Sequence, residues 1–294
     1  MTKNIIVLIF AISFIFLCSG YSLAEKDTLL IGLLPEENVF RYVERHKPLE
    51  SYLSEKLGIK VKFTILQRYA DIIDMFTKRE MDGAFFGVFT SVLAKKKLGV
   101  QPLARQVNID GSTTSKGYIF ARKDSGITTL KDMKDKRIAF VDKATATGYV
   151  FAIAFLRENG ITDIDKFFSG LDFTGSHDST VYAVLDKRAD IGVVKSRIFD
   201  RLSAKDPLIK EETFIIAKST DLPDMTLCLR KDIAPEIKEK IENTLLNMHE
   251  DPKGREVLKK LGAIRFILAT EADFKPVINL IKKAGINLES YKYR

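Results

Sequence analysis

The chain has 294 residues, 46% of them hydrophobic, 10% aromatic and 29% charged, with 8 prolines. That is material for about two ordinary domains and excludes a disordered, fibrous or disulfide-stapled protein. The formal charge is +8, yet bases alternate with acids, as in Lys131-Asp132-Met133-Lys134-Asp135-Lys136, and never interleave with aromatic residues in a block, so no nucleic-acid partner is expected.

The first segment reads as a leader. After the cation Lys3, residues 5–17 are almost uniformly apolar but too few to span a bilayer, and small residues follow, ending in Ser22-Leu23-Ala24. This is the plan of a secretory signal peptide over residues 1–24, cleaved before Glu25. Cys18 offers a lipid anchor as the alternative, but Phe16-Leu17 before it are large where lipid-modified cysteines follow small residues. Cys228 is then left alone, so no intrachain disulfide forms.

Beyond the leader, strands and helices alternate. Residues 29–34 read as a buried strand and 48–57 as a helix, with Leu49, Tyr52, Leu53 and Leu57 at helical spacing before Gly58. Strand 59–66, helix 70–78 and short strand 81–86 follow. The same order restarts at Arg137, with strand 137–141, helix 148–158, strand 171–173, helix 180–186 and strand 191–194. Such alternation makes parallel sheets with helical cover, so the fold class is α/β in two tandem units. Lys78-Arg79-Glu80-Met81-Asp82 is echoed by Lys187-Arg188-Ala189-Asp190; either the unit repeats or all helix-to-strand turns look alike. From Pro235 the pattern is helical, at 235–247, 254–261 and 274–284, and these helices are expected to pack on the first unit. Crossings between units are expected near 117–122 and 222–229, dividing the chain into lobe 1 (27–117 plus 225–294) and lobe 2 (118–224).

Metal and catalytic motifs are missing from this pattern. His46, His177 and His249 are scattered without ligand spacing, and neither a nucleophile elbow nor a glycine-rich phosphate loop of the ATP or dinucleotide type occurs. No cofactor or metal is expected, and Cys228, in the apolar run 225–229, reads as a core thiol with no base beside it in sequence.

Three loops that run into helices carry hydroxyl groups. Asp142-Lys143-Ala144-Thr145-Ala146-Thr147-Gly148-Tyr149 lies at the carboxyl edge of a parallel sheet, where open α/β folds bind ligands. The hydroxyls of Thr145 and Thr147, with the N–H groups of Thr147, Gly148 and Tyr149, make either an oxyanion cradle or an ordinary threonine cap. Gly175-Ser176-His177-Asp178-Ser179-Thr180 and Gly87-Val88-Phe89-Thr90-Ser91 are open to the same two readings.

Residues 124–133 followed by 137–142 and 145–149 resemble the phosphate/phosphonate-type periplasmic substrate-binding proteins of ABC transporters. So do Ser176-His177-Asp178-Ser179 and Asp251-Pro252-Lys253-Gly254-Arg255 with Leu258 and Leu261-Gly262. The resemblance implies the type II binding-protein fold, two Rossmann-like lobes joined by two crossover segments, with a small oxyanion clamped between them by hinge closure. It implies a periplasmic monomer that carries out no reaction and serves a membrane permease, with a membrane kinase or chemoreceptor as the alternative partner. By the same resemblance Thr145-Ala146-Thr147-Gly148 stands for the loop that grips the anion, and Tyr69, Phe86, Ser91, Tyr149, His177 and Asp224 are further ligand-binding positions. Ala146 departs from a hydroxyl and Phe86 from a tyrosine. Arg197 falls at or near the acidic residue that receives a substrate amine, so 2-aminoethylphosphonate is expected to bind less tightly than amine-free phosphonates or phosphates. Arg197 equally fits the surface of a helix with Phe199 and Leu202.

Overall fold

The computed structural model describes residues 28–293, so the expected leader, its cleavage before Glu25 and Cys18 lie outside the described residues. Two sheets organise the chain. The first runs Ala263–Leu268, Gln101–Asn108, Thr226–Leu229, Gly83–Phe86, Thr28–Leu33, Lys60–Ile65. Its last three strands are mutually parallel, and the others join antiparallel. The second runs Thr213–Lys218, Gly117–Arg122, Ile191–Lys195, Arg137–Phe140, Gly170–Phe173, with the last three again parallel. Each sheet therefore has a parallel core that the strand-helix alternation demands, because parallel neighbours need a crossover. Antiparallel strands, which come without that alternation, widen both sheets.

The chain passes between sheets at Thr114–Ser115 and Leu222–Pro223, which pair with each other as a short antiparallel ribbon. Gly117–Arg122, expected as a crossing, is a strand of the second sheet.

The sequence echo corresponds to a repeated device. Arg79 and Lys187 both adopt positive φ, 61° and 60°, which costs a non-glycine residue roughly 1–2 kcal/mol. Each stops a helix three residues before an aspartate. Asp82 Oδ2 then accepts the backbone N–H of Leu30 at 2.8 Å, and Asp190 Oδ2 that of Arg137 at 2.9 Å. In both units the turn ties the opening of one parallel strand to the strand beside it.

Helix Val39–Leu57 begins well before Pro48, because Asn38 caps it by accepting the N–H of Arg41 at 3.3 Å. Its buried side, including Tyr42, Leu49, Leu53 and Leu57, joins Phe85, Leu103 and Phe266 in the core of the first lobe. Helices Pro235–Leu246 and Pro252–Leu261 cover the same core through Leu245, Val257 and Leu258. Helix Lys275–Lys283 departs from the expected packing on the first lobe. Its apolar face Val277, Leu280 and Ile281 shares a core with Phe151, Ala154 and Ile119 of the second lobe as well as with Val88 and Phe89 of the first. The i, i+3, i+4 stripe needs an apolar partner, and helix Phe151–Glu158 supplies it. No helix among the described residues is long and apolar enough to cross a membrane.

Candidate functional site

At the carboxyl end of Arg137–Phe140 the chain turns through Asp142 into a widened five-residue turn, Ala146–Val150, that continues as helix Phe151–Glu158. Such i→i+5 turns recur at functional sites. Thr145, at the N-cap position, makes no side-chain cap bond; its hydroxyl donates to the carbonyl of Asp142 at 2.6 Å instead. An uncapped helix start presents N–H groups and the positive end of the helix dipole. Gly148 permits this geometry, since a Cβ there would lie 2.7 Å from the Val141 side chain and 2.8 Å from Thr145 Oγ1.

This turn faces a cavity of about 30 Å³ between the two sheets, lined among others by Tyr69, Thr145, Thr147, His177, Lys195 and Asp224. That is room for about two waters, close to the bulk of a tetrahedral oxyanion. Tyr69 turns a buried hydroxyl to which no hydrogen-bond partner is offered among the described residues. His177 Nδ1 accepts the backbone N–H of Lys195 at 3.1 Å, which leaves Nε2 as the protonated, donating nitrogen. Burial, reinforced by the charge of Lys195, lowers the His177 pKa to about 3, so the ring is neutral near pH 7. Tyr69, Thr147, His177 and a helix start, all able to donate hydrogen bonds, thus border one small space.

Charge is concentrated in one wall. Lys195 Nζ lies 3.0 Å from Glu36 Oε1 and 3.2 Å from Asp224 Oδ1. Burial pulls the lysine pKa down, but Glu36 and Asp224 together outweigh it and hold the ammonium above its ordinary value. Burial likewise opposes ionisation of Asp224, and Lys195, Arg197, Ser115 and Asn108 overcome it, so its carboxyl stays below the usual range. The same segment joins the lobes. The carbonyl of Glu36 accepts the His177 N–H at 3.1 Å, Asn38 N–H donates to Asp178 Oδ2 at 2.7 Å, and Arg201 pairs with Glu37 at 2.8 Å.

Of the residues singled out by sequence, Tyr69, Thr145, Thr147, His177 and Asp224 line the cavity, and Gly148 shapes its edge. Four others point elsewhere. Phe86 is fully buried against Phe76, ring centroids 5.3 Å apart. Ser91 donates to the carbonyl of Gly87 and borders a separate small cavity beside Cys228. Tyr149 packs its ring on Phe140 and Phe173. Arg197 pairs with Asp224 and Asp110 and donates to Ser112 and the Thr114 carbonyl, facing a wider cleft of about 760 Å³. The Cys228 thiol, raised to about 12 by burial, is a poor nucleophile.

Glu36, Ser115 and Lys195 escaped the sequence reading although they line the cavity. A signal was present: Glu36 follows strand Thr28–Leu33 and Lys195 ends strand Ile191–Lys195, so both stand at the carboxyl ends of parallel strands, where the ligand rule for open sheets applies.

The family model for periplasmic substrate-binding proteins of phosphonate ABC transporters matches residues 31–274. The phosphonates-binding periplasmic protein of Escherichia coli is 24% identical over 266 residues, covering 87% of this chain and 76% of that one. The phosphate-import protein PhnD of Mycolicibacterium smegmatis is 26% identical over 226 residues, covering 74% of this chain and 70% of that one. Among solved structures, PhnD1 of Prochlorococcus marinus in complex with methylphosphonate superposes with a TM-score of 0.78 at 20% identity, covering 88% of this chain and 98% of that one. Two sheets with parallel cores, a paired crossover and an uncapped helix start facing the space between them agree with these matches: the chain belongs to the phosphonate family of ABC-transporter periplasmic substrate-binding proteins.

Proposed function

We propose that this protein captures a small, amine-free oxyanion of the phosphate, phosphite or alkylphosphonate kind between its lobes and delivers it to the permease of an ABC transporter. The observation that carries the reading is the gathering of donor residues around one cavity: Tyr69, whose hydroxyl has no partner among the described residues, Thr147, His177 with Nδ1 already engaged, and the uncapped helix start. Charged oxygens accept such donors strongly, and a cavity of about 30 Å³ suits a small anion. Support comes also from relatives named for phosphonate binding and phosphate import and from a neighbour holding methylphosphonate.

Calorimetry with inorganic phosphate, phosphite and methylphosphonate tests this. Saturable binding of at least one is expected, together with a retained oxyanion in native mass spectrometry of protein from its own host. Absence of both removes the reading.

A further inference from the structure

We propose that Lys195 is a built-in ammonium that closes the site to amine-bearing oxyanions and limits the length of ligand it admits, an inference that rests on the oxyanion function above. Lys195 ends a central strand of the second sheet, and its side chain is only 8% exposed. Its Nζ reaches both oxygens of Glu36, at 3.0 and 3.4 Å, and Asp224 Oδ1 at 3.2 Å. Glu36 comes from the first lobe and Asp224 from just past the return crossover. One ammonium therefore bridges two carboxylates brought together from separate parts of the fold, and Arg197 beside Asp224 supplies the second positive charge.

Asp224 has no acceptor capacity left. Asp224 Oδ1 also accepts from Ser115 Oγ at 2.8 Å, and its Oδ2 accepts from Asn108 Nδ2 at 2.9 Å and Arg197 Nε at 3.1 Å. With Lys195 that makes a donor for each of the roughly four lone-pair sites of a carboxylate. A ligand ammonium entering here finds a resident positive charge, a saturated Asp224, and a Glu36 whose two oxygens already face the Lys195 ammonium. Geometry adds a second effect, because Glu36, Ser115, Lys195, Asp224 and Met225 line both the small cavity and the wider cleft. The charged cluster is the partition between them. Shortening Lys195 joins the two spaces and leaves Glu36 and Asp224 facing the vacated position, a complement to a primary ammonium tethered to an oxyanion.

The test is calorimetry of methylphosphonate and 2-aminoethylphosphonate on the wild type and on Lys195→Ala. The wild type is expected to prefer methylphosphonate by at least about tenfold, since like charges placed together in a desolvated site are strongly disfavoured, and Lys195→Ala is expected to narrow or reverse that preference by at least about tenfold. A second readout needs no oxyanion: ethylammonium should raise the melting temperature of Lys195→Ala saturably and leave the wild type unmoved, while tetramethylammonium, which has no N–H, should move neither protein. A wild type that binds 2-aminoethylphosphonate as tightly as methylphosphonate, or a variant indifferent to ethylammonium and unchanged in ligand preference, overturns the role of Lys195. A wild type that binds phosphate, phosphite and methylphosphonate not at all overturns the functional reading, and the selectivity with it, even where ethylammonium rescues the variant. The wild-type ranking requires no substitution, so poor folding of Lys195→Ala does not shelter the proposal.

Discussion

Arg197 Nε lies 3.1 Å from Asp224 Oδ2, on the side of that carboxylate facing away from Lys195. The guanidinium also reaches Ser112 Oγ at 2.6 Å and the Thr114 carbonyl at 2.9 Å, so it pins the crossover region to the second lobe and holds a buried carboxylate ionised. Arg197→Glu places a second negative charge against Asp224. Removing one partner of a buried pair costs about 3–5 kcal/mol, and at least about 3 kcal/mol is expected here, since Lys195 still pairs with Asp224 but the new carboxylate adds repulsion. Urea denaturation measures this; an unchanged midpoint would show that the pair contributes nothing.

The two threonines of the anion loop should separate binding from stability. Thr147 faces the cavity, and Thr147→Ala is expected to lose about 1.5–3 kcal/mol of oxyanion binding, the worth of a hydrogen bond to a charged group, with little change in melting temperature. Thr145 spends its hydroxyl proton on the Asp142 carbonyl, so Thr145→Ala should lower stability by about 1 kcal/mol. Calorimetry and thermal unfolding of both variants decide whether the roles divide in this way.

Tyr69→Phe should move stability and affinity in opposite directions. The ligand-free protein buries a tyrosine hydroxyl with no partner among the described residues, and an unsatisfied buried group costs about 1–3 kcal/mol. Its removal is expected to raise the melting temperature of the free protein while weakening oxyanion binding by roughly tenfold. Weaker binding accompanied by lower stability would mean that the hydroxyl has another task.

Gly148→Ala is expected to destabilise by about 1–3 kcal/mol, the usual cost of overpacking, because the new Cβ would stand 2.7 Å from Val141 and 2.8 Å from Thr145 Oγ1. The loop must shift to admit it. Loss of affinity should therefore exceed that of Thr147→Ala, which leaves the loop in place.

The pH dependence follows from His177, which burial and Lys195 lower to about 3. In the unfolded chain it titrates near 6.5, so below that pH the unfolded state binds the extra proton and stability rises with pH. The contribution is whole above about pH 6.5 and is lost as pH falls towards 3. His46, lowered to about 4 mainly by burial, acts in the same direction. Roughly 2 kcal/mol or a little more per histidine should disappear between pH 7 and 4.5, and His177→Asn, whose amide oxygen can still accept the Lys195 N–H, should make the decline shallower. A variant as acid-sensitive as the wild type would assign that decline to other groups.

Features that depend on a few adjacent residues were legible in the sequence. The parallel cores follow from alternating strands and helices, the left-handed stops at Gly58 and Gly262 from glycine after an apolar helix, and the loop 142–149 from a hydroxyl-rich turn between strand and helix. The family resemblance brought Tyr69, His177 and Asp224 to the same region. Antiparallel strands such as Gln101–Asn108 and Ala263–Leu268 were not foreseen, because no crossover helix announces them. The landing place of helix Lys275–Lys283 was not foreseen either: its apolar stripe states that a partner is needed without saying which lobe provides it. Above all, the meeting of Lys195 with Glu36, 159 residues away in sequence, and with Asp224 is decided by sheet order and lobe contact. Periodicity and capping act over a turn or two of chain, whereas charge pairing is set by distance in space, so only the folded structure could show that this site carries its own ammonium.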